Sequence, residues 1–396
     1  MDRRQFINAG TTLTLFGPLA NRAFAAATDD ARFVLAILRG GLDGLAAVPA
    51  YGEGRYQSLR GALALASPGA EGGVRKLDGL FGLHPALSNL HRLYTDGDLA
   101  VAHAVASPYR ERSHFDGQKV LEAGGTSPST SDGGWLNRAL EALADESFGL
   151  GAIALADTVP LVLRGPVTVS SWAPSRLPDT DDDTLARVRE IYEATDPALA
   201  NRLTEALNAR DLAGAAGMEN GMRGGGRQLA PTTAAAARFL AAADGPRIAV
   251  IEAGGWDTHA NQGAAQGTLA TRLTQLDAGL EALRTELGPV WDKTTVMVVT
   301  EFGRTVAVNG TRGTDHGTAG VAFVAGGAVA GGRVISDWPG LAERDLYEGR
   351  DLKPTLDLRA LFKGVLGEQF GLSASALETR VFPGSGSIEP VGVARA

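Results

Sequence analysis

The sequence predicts an α/β fold, a doubly wound, mostly parallel sheet with helices on both faces. Short apolar runs rich in β-branched residues recur at Arg32–Leu38, Leu99–Val105, Ile248–Ile251, Thr294–Val299 and Val321–Ala325, the pattern of strands buried on both sides. Between them lie longer stretches with apolar residues at helical spacing, clearest at Leu269, Leu273, Leu276, Leu280, Leu283 and Leu287. Strands alternating with helices build a parallel sheet covered on both sides.

The chain starts with Asp2-Arg3-Arg4-Gln5-Phe6-Ile7, an apolar segment Thr11–Leu19 and the A-x-A site Ala23-Phe24-Ala25. Residues 1–25 therefore read as a twin-arginine signal peptide, which predicts passage through the twin-arginine export machinery to the periplasm or the outside. The apolar segment is too short to span a bilayer, so no transmembrane segment is expected. The α/β domain is expected over 31–370, with 371–396 as a C-terminal tail.

Arg32–Leu38 is the first buried strand, ending in Arg39-Gly40-Gly41-Leu42-Asp43-Gly44, a glycine-rich turn that presents Asp43. Tyr51–Leu80, rich in Gly, Ala and Ser, reads as loop with at most a short helix. A helix is expected from His84-Pro85 through Tyr94, closed by Asp96-Gly97, before the second strand, Leu99–Val105. Helices follow at Phe115–Glu122 and Trp135–Leu143, with weaker strand candidates at Phe148–Ala156 and Pro160–Leu163. From about 180 to 230 the pattern becomes acidic and helical, an insertion or cap on the sheet. Thr233–Ala243 leads back to Ile248–Ile251, and the long helix Leu269–Leu287 feeds Thr294–Val299 and then Val321–Ala325.

Composition excludes several functions. The net charge of −8 and the lack of any Lys/Arg-rich run argue against a nucleic-acid partner. The chain has no cysteine, which removes disulfides, thiolate metal sites and thiol nucleophiles. No G-x-S-x-G elbow and no Walker A lysine are present.

Polar clusters share one address, just beyond the C-terminal ends of predicted strands, where open α/β sheets bind ligands. They are Asp43, Ser113-His114, Asp257 with His259, and Glu301 with Arg304; Asp315-His316 sits on the loop before the last strand. Carboxylates and imidazoles gathered at one edge suit one or two divalent ions, which polarise a phosphoryl or sulfuryl oxygen and activate a hydroxyl nucleophile. Ser113, at a helix N-terminus, lies in positive partial charge, and Arg304 is placed to grip a substrate oxygen. Plainer roles stay open at this point: Asp43 as an Asx-turn, Ser113 as an N-cap, Asp257 as a cap of a following helix, Glu301 paired with Arg304. His84 and His91 read as structural, and His103 as a hydrogen-bonded core histidine.

These strings, RGGLDGL, HPAL, RSHFD, GGWDTHANQ, TEFGRT, GTDHG, DWPGL and RDLKPTLDLR, resemble in order the bacterial domain-of-unknown-function 1501 family. That family is grouped with the alkaline phosphatase and sulfatase superfamily, so the resemblance implies an alkaline phosphatase-like sheet with a two-metal site at its C-terminal edge. By position, it makes Asp43, Asp257, His259, Glu301 and His316 metal ligands and Ser113 the nucleophile. Their place at the same edge adds Asp315 to the metal set and His114 and Arg304 to the catalytic one. The ion it implies is zinc, with manganese or calcium as alternatives. Phe302 stands where a second-site histidine would be, and Trp172 occupies the key position of the nearest formylglycine look-alike, Trp172–Arg176. The expected activity is an exported, metal-dependent hydrolase of phosphate or sulfate esters, its substrate a small anionic ester or glycan. The alternative is a non-catalytic exported protein that binds an anionic glycan or a protein partner.

Overall fold

The computed structural model describes residues 30–129, 133–144, 151–173, 182–207 apart from 202 and 205, and 229–395. The leader, residues 1–25, and much of the 180–230 stretch lie outside them. Among the described residues eleven strands are formed, in chain order β1 (Arg32–Arg39), β2 (Arg75–Lys76), β3 (Gly82–Leu83), β4 (Leu99–Ala106), β5 (Ala152–Leu155), β6 (Ser170–Ser171), β7 (Ile248–Gly254), β8 (Thr294–Thr300), β9 (Gly320–Ala325), β10 (Arg333–Ile335) and β11 (Leu356–Asp357). β2 and β3 make a separate hairpin. The others form one nine-stranded sheet ordered β10-β4-β9-β8-β1-β7-β5-β6, with β11 also paired to β4.

Within that sheet every neighbouring pair is parallel except those made by β9, which runs antiparallel to both β4 and β8. The C-terminal ends of β1, β4, β7 and β8 therefore share one edge with the N-terminal end of β9. The loop 301–319, which joins β8 to β9, starts and finishes at that edge.

β1 shows why the sheet is covered on both sides. Val34, Ala36 and Leu38 pack on one face against the leucines of the helix Thr268–Leu287 and against Phe239 and Leu240 of the helix Leu229–Ala241. Phe33, Leu35 and Ile37 face the other way, onto the helices Trp135–Ala144 and Leu358–Phe370. Alternate side chains of a strand point to opposite faces, so a run apolar at every position fits only a sheet buried on both.

Three local expectations differ from what forms. The helix expected from His84 begins at Ser88. His84 and Pro85 instead make a turn in which His84 Nδ1 accepts from Ala86 N at 3.0 Å. The first-turn donors of that helix, Asn89 N and Leu90 N, are satisfied by the buried carboxylate of Asp277 on a different helix. Pro160–Leu163 is not a strand, because Leu161–Leu163 winds into a 3₁₀ turn after Pro160. The C-terminal segment packs onto the body, with Leu377, Val381, Phe382 and Val393 joining the second core face. His103 is wholly buried, its Nε2 bound to Val48 O at 2.9 Å.

Candidate metal centre

Asp257 and His259 follow β7 directly, where Gly255 takes φ 90° and turns the chain across the sheet edge. No helix begins until Thr268, so Asp257 caps nothing. Its Oδ1 lies 3.0 Å from His259 Nε2, 3.2 Å from His316 Nε2 and 3.5 Å from His114 Nε2. The two Nε2 atoms of His259 and His316 stand 2.9 Å apart. Three imidazoles, one from the start of the helix His114–Ala123 and two from loops, thus turn the same nitrogen toward one carboxylate oxygen.

What holds each ring fixes its tautomer. His114 Nδ1 meets Glu301 Oε1 at 2.7 Å, His259 Nδ1 meets Asp315 Oδ1 at 3.2 Å, and His316 Nδ1 meets the Arg112 carbonyl at 2.9 Å. All three partners can only accept, so each Nδ1 carries the proton and each neutral ring keeps its lone pair on Nε2. His114 Nε2 is buried with no hydrogen-bond partner. Lone pairs converging with a carboxylate oxygen repel one another unless a cation sits among them. Four donors around a tetrahedral ion, at bonds of about 2.0–2.1 Å, stand roughly 3.3 Å apart, close to the separations seen. The donor set fits one divalent ion: His114, Asp257 and His316 each offer an atom within 4.8 Å of the others, and His259 Nε2 adjoins Asp257 Oδ1 and His316 Nε2.

The surroundings follow the same logic. Glu301 is buried, which pushes its acidity down. Hydrogen bonds from His114, Gly40 N at 2.8 Å and Gln118 outweigh that burial and hold its carboxyl below the usual range. The bond to Glu301 raises the His114 pKa against the effect of burial. His316 is lowered, by burial first and then by the charge of His114. Burial also works against the charge of Asp257, but Arg304, donating from Nη1 at 2.6 Å, holds its pKa down. Asp315 is held down by the amide of Asn309 and by His259. The ring of Phe302 packs against those of His114 and His316, 4.8 and 5.2 Å between centroids, and forms an apolar wall where a second-site histidine was looked for.

Several residues expected to touch metal or substrate take other places. Asp43 is buried; its Oδ1 caps Ala46 N at 3.1 Å, and its Oδ2 pairs with Arg60 and accepts from Gln262 Nε2 at 2.7 Å. Both oxygens are spent, so Asp43 is not turned toward the three histidines. Glu301 and Asp315 reach the cluster only through histidine rings. Arg304 is not a substrate clamp in this arrangement. Its side chain is wholly covered and committed to Asp257 and to Thr314, at Oγ1 (3.2 Å) and at the carbonyl. His114, expected beside the nucleophile, is instead one of the converging donors. Ser113 is the N-cap residue of the helix His114–Ala123, yet its side chain makes no capping bond. Gln262, which helps complete the Asp43 site, closes the GGWDTHANQ string but was given no role there, and Arg60 carried no sequence signal of its own.

Residues 100–381 match the family described as protein of unknown function (DUF1501). The chain belongs to this family. No curated protein matches it. Among solved structures it is similar to Ps i-CgsB, determined in complex with k-i-k-neocarrahexaose, at 11% identity and TM-score 0.44, over 91% of this chain and 77% of that chain. It is also similar to a 2-O GAG sulfatase (13%, 0.37, over 91% and 73%) and to the phosphonate monoester hydrolase of Agrobacterium radiobacter (14%, 0.31, over 86% and 74%).

Proposed function

We propose that this chain is a metal-dependent hydrolase of phosphate or sulfate esters that works with a single zinc ion held by His114, Asp257, His259 and His316. The observation that carries the reading is the convergence of three imidazole Nε2 atoms on one carboxylate oxygen, each ring held from behind by an acceptor. Three imidazoles and one carboxylate suit zinc and leave calcium, which takes six to eight oxygens, poorly served. When bound, the ion supplies Lewis-acid polarisation of a phosphoryl or sulfuryl oxygen and lowers the cost of generating an oxygen nucleophile.

The chain's own residues do the rest. Ser113, beside the ligand His114, presents a hydroxyl not spent on capping at the N-terminus of a ten-residue helix. The partial positive charge there favours an anionic ester and the developing alkoxide. Glu301 and Asp315 hold the His114 and His259 rings in register, so little reorganisation is needed when an ester arrives. Arg304 keeps Asp257 ionised and ready as a ligand. The twin-arginine leader adds export to the periplasm or beyond, and a small anionic ester or glycan is the substrate class this site would take.

The test loads the purified chain with zinc and offers p-nitrophenyl phosphate, p-nitrophenyl sulfate and an aryl phosphonate monoester. Zinc-dependent release of nitrophenol from at least one, lost in His316→Ala and strongly reduced in Ser113→Ala, is the expected result. A second reading, a non-catalytic binding protein, is favoured by the burial of Arg304 away from any substrate. Stoichiometric zinc with no turnover of the three esters would replace the first reading by the second.

A further inference from the structure

The RDLKP string near the C-terminus has no part in the site described so far, yet it reaches the back of His316. We infer that Asp351 is a positioning residue that locks His316 into the metal-binding orientation, an inference that rests on the metal reading above. His316 is gripped twice. Its Nδ1 binds the carbonyl of Arg112 at 2.9 Å, and its own carbonyl accepts from Arg350 Nη2. Both arginines converge on one carboxylate. Arg112 Nε donates to Asp351 Oδ2 at 2.8 Å, and Arg350 Nε faces Asp351 Oδ1 at 3.2 Å, an ion pair without hydrogen-bond alignment.

The Asp351 side chain is completely covered, and its backbone is stapled on both sides of the histidine loop. Asp351 bridges to Thr305, Val306 N reaches Arg350 O at 3.3 Å, and Ala319 N reaches Leu352 O at 3.3 Å. Arg112 needs such a brace, because it holds φ 61° without being glycine. That left-handed turn is what aims its carbonyl at the imidazole. Glu348 also pairs with Arg112, at 2.6 Å, but from solvent, where an ion pair contributes little.

The test compares wild type, Asp351→Asn, Arg112→Lys and Glu348→Gln as full-length chains, with two readouts. One is zinc affinity by competition with a chromogenic chelator. The other is the His316 tautomer in the metal-free protein, from long-range ¹H–¹⁵N spectra. Asp351→Asn is expected to weaken zinc by about 10–100-fold, the usual scale for groups that orient ligands, and to turn a pure Nδ1–H ring into a tautomer mixture. Arg112→Lys, which keeps the charge but loses the fork, is expected to move both readouts the same way by less, and Glu348→Gln to move neither. Unchanged affinity and tautomer in a folded Asp351→Asn would overturn the inference. Failure of the wild type to bind zinc would instead sink the metal reading, and the tautomer would still decide whether Asp351 positions His316.

Discussion

Two aspartates lie past the C-terminal ends of adjacent parallel strands, and they have opposite fates. Asp43, after β1, is sealed from solvent, and its charge is answered by Arg60 and by the Gln262 amide. Asp257, after β7, stays partly exposed and faces three imidazole nitrogens. The sheet edge that gathers polar residues is common to both. Each has a buried arginine, Arg60 on Asp43 and Arg304 on Asp257; what separates them is that Asp257 alone stays partly exposed with three imidazole Nε2 atoms gathered on it. The first is a structural ion pair that ties the turn after β1 to the chain below it. The second is the proposed metal centre.

The largest effect expected from breaking this contrast is on stability. Asp43→Asn leaves Arg60 buried without its counter-charge, which costs about 3–5 kcal/mol when one partner of a buried pair is removed. Chemical denaturation of the metal-free chain would show it, whereas His316→Ala, on the open side, should leave metal-free stability nearly unchanged.

His103, buried behind the Asp43 turn and bound to Val48 O, sharpens the same contrast through pH. Burial holds its pKa down to about 4 from an ordinary 6.5. The unfolded chain therefore takes up this proton first, so stability is full above pH 6.5 and falls as pH drops toward 4. The loss amounts to about 3 kcal/mol. His103→Gln should be less stable at neutral pH but show a shallower loss over that window. An unchanged slope would remove His103 as its cause.

Glu301→Gln tests the open side from behind the ring of His114. It is expected to weaken zinc by about 10–100-fold while leaving the fold intact. Chelation of the loaded wild type tests the same side, since a ligand that binds only the native state contributes about 2.7 kcal/mol at a hundredfold excess over Kd. The chelated chain should melt a few degrees lower, and the shift should be absent in His259→Ala.

The sheet was legible because buried parallel strands leave a clear mark: runs rich in β-branched residues such as Thr294–Val299, each ending in glycine or polar residues. The place of Asp257 and His259 past a strand end was legible for the same reason, while His316 was joined to them through the family resemblance. The division of labour among the polar residues was not. Whether Asp43 ligates an ion or closes a salt bridge depends on Arg60, which nothing in the sequence marks. Whether Glu301 touches an ion or holds a ligand depends on His114 arriving from a different element, which only the strand order β4-β9-β8 decides. Arg304 read as a substrate clamp because an arginine after a strand end is exposed more often than covered. Here Thr314 and Asp257 enclose it.

The most direct measurement is the metal content of the full-length chain purified without chelator, by plasma mass spectrometry, beside His316→Ala and Asp43→Asn. One zinc per chain, lost in His316→Ala and retained in Asp43→Asn, is the expected result. No metal in the wild type, or two ions of which one disappears with Asp43, would contradict the single-ion centre at Asp257.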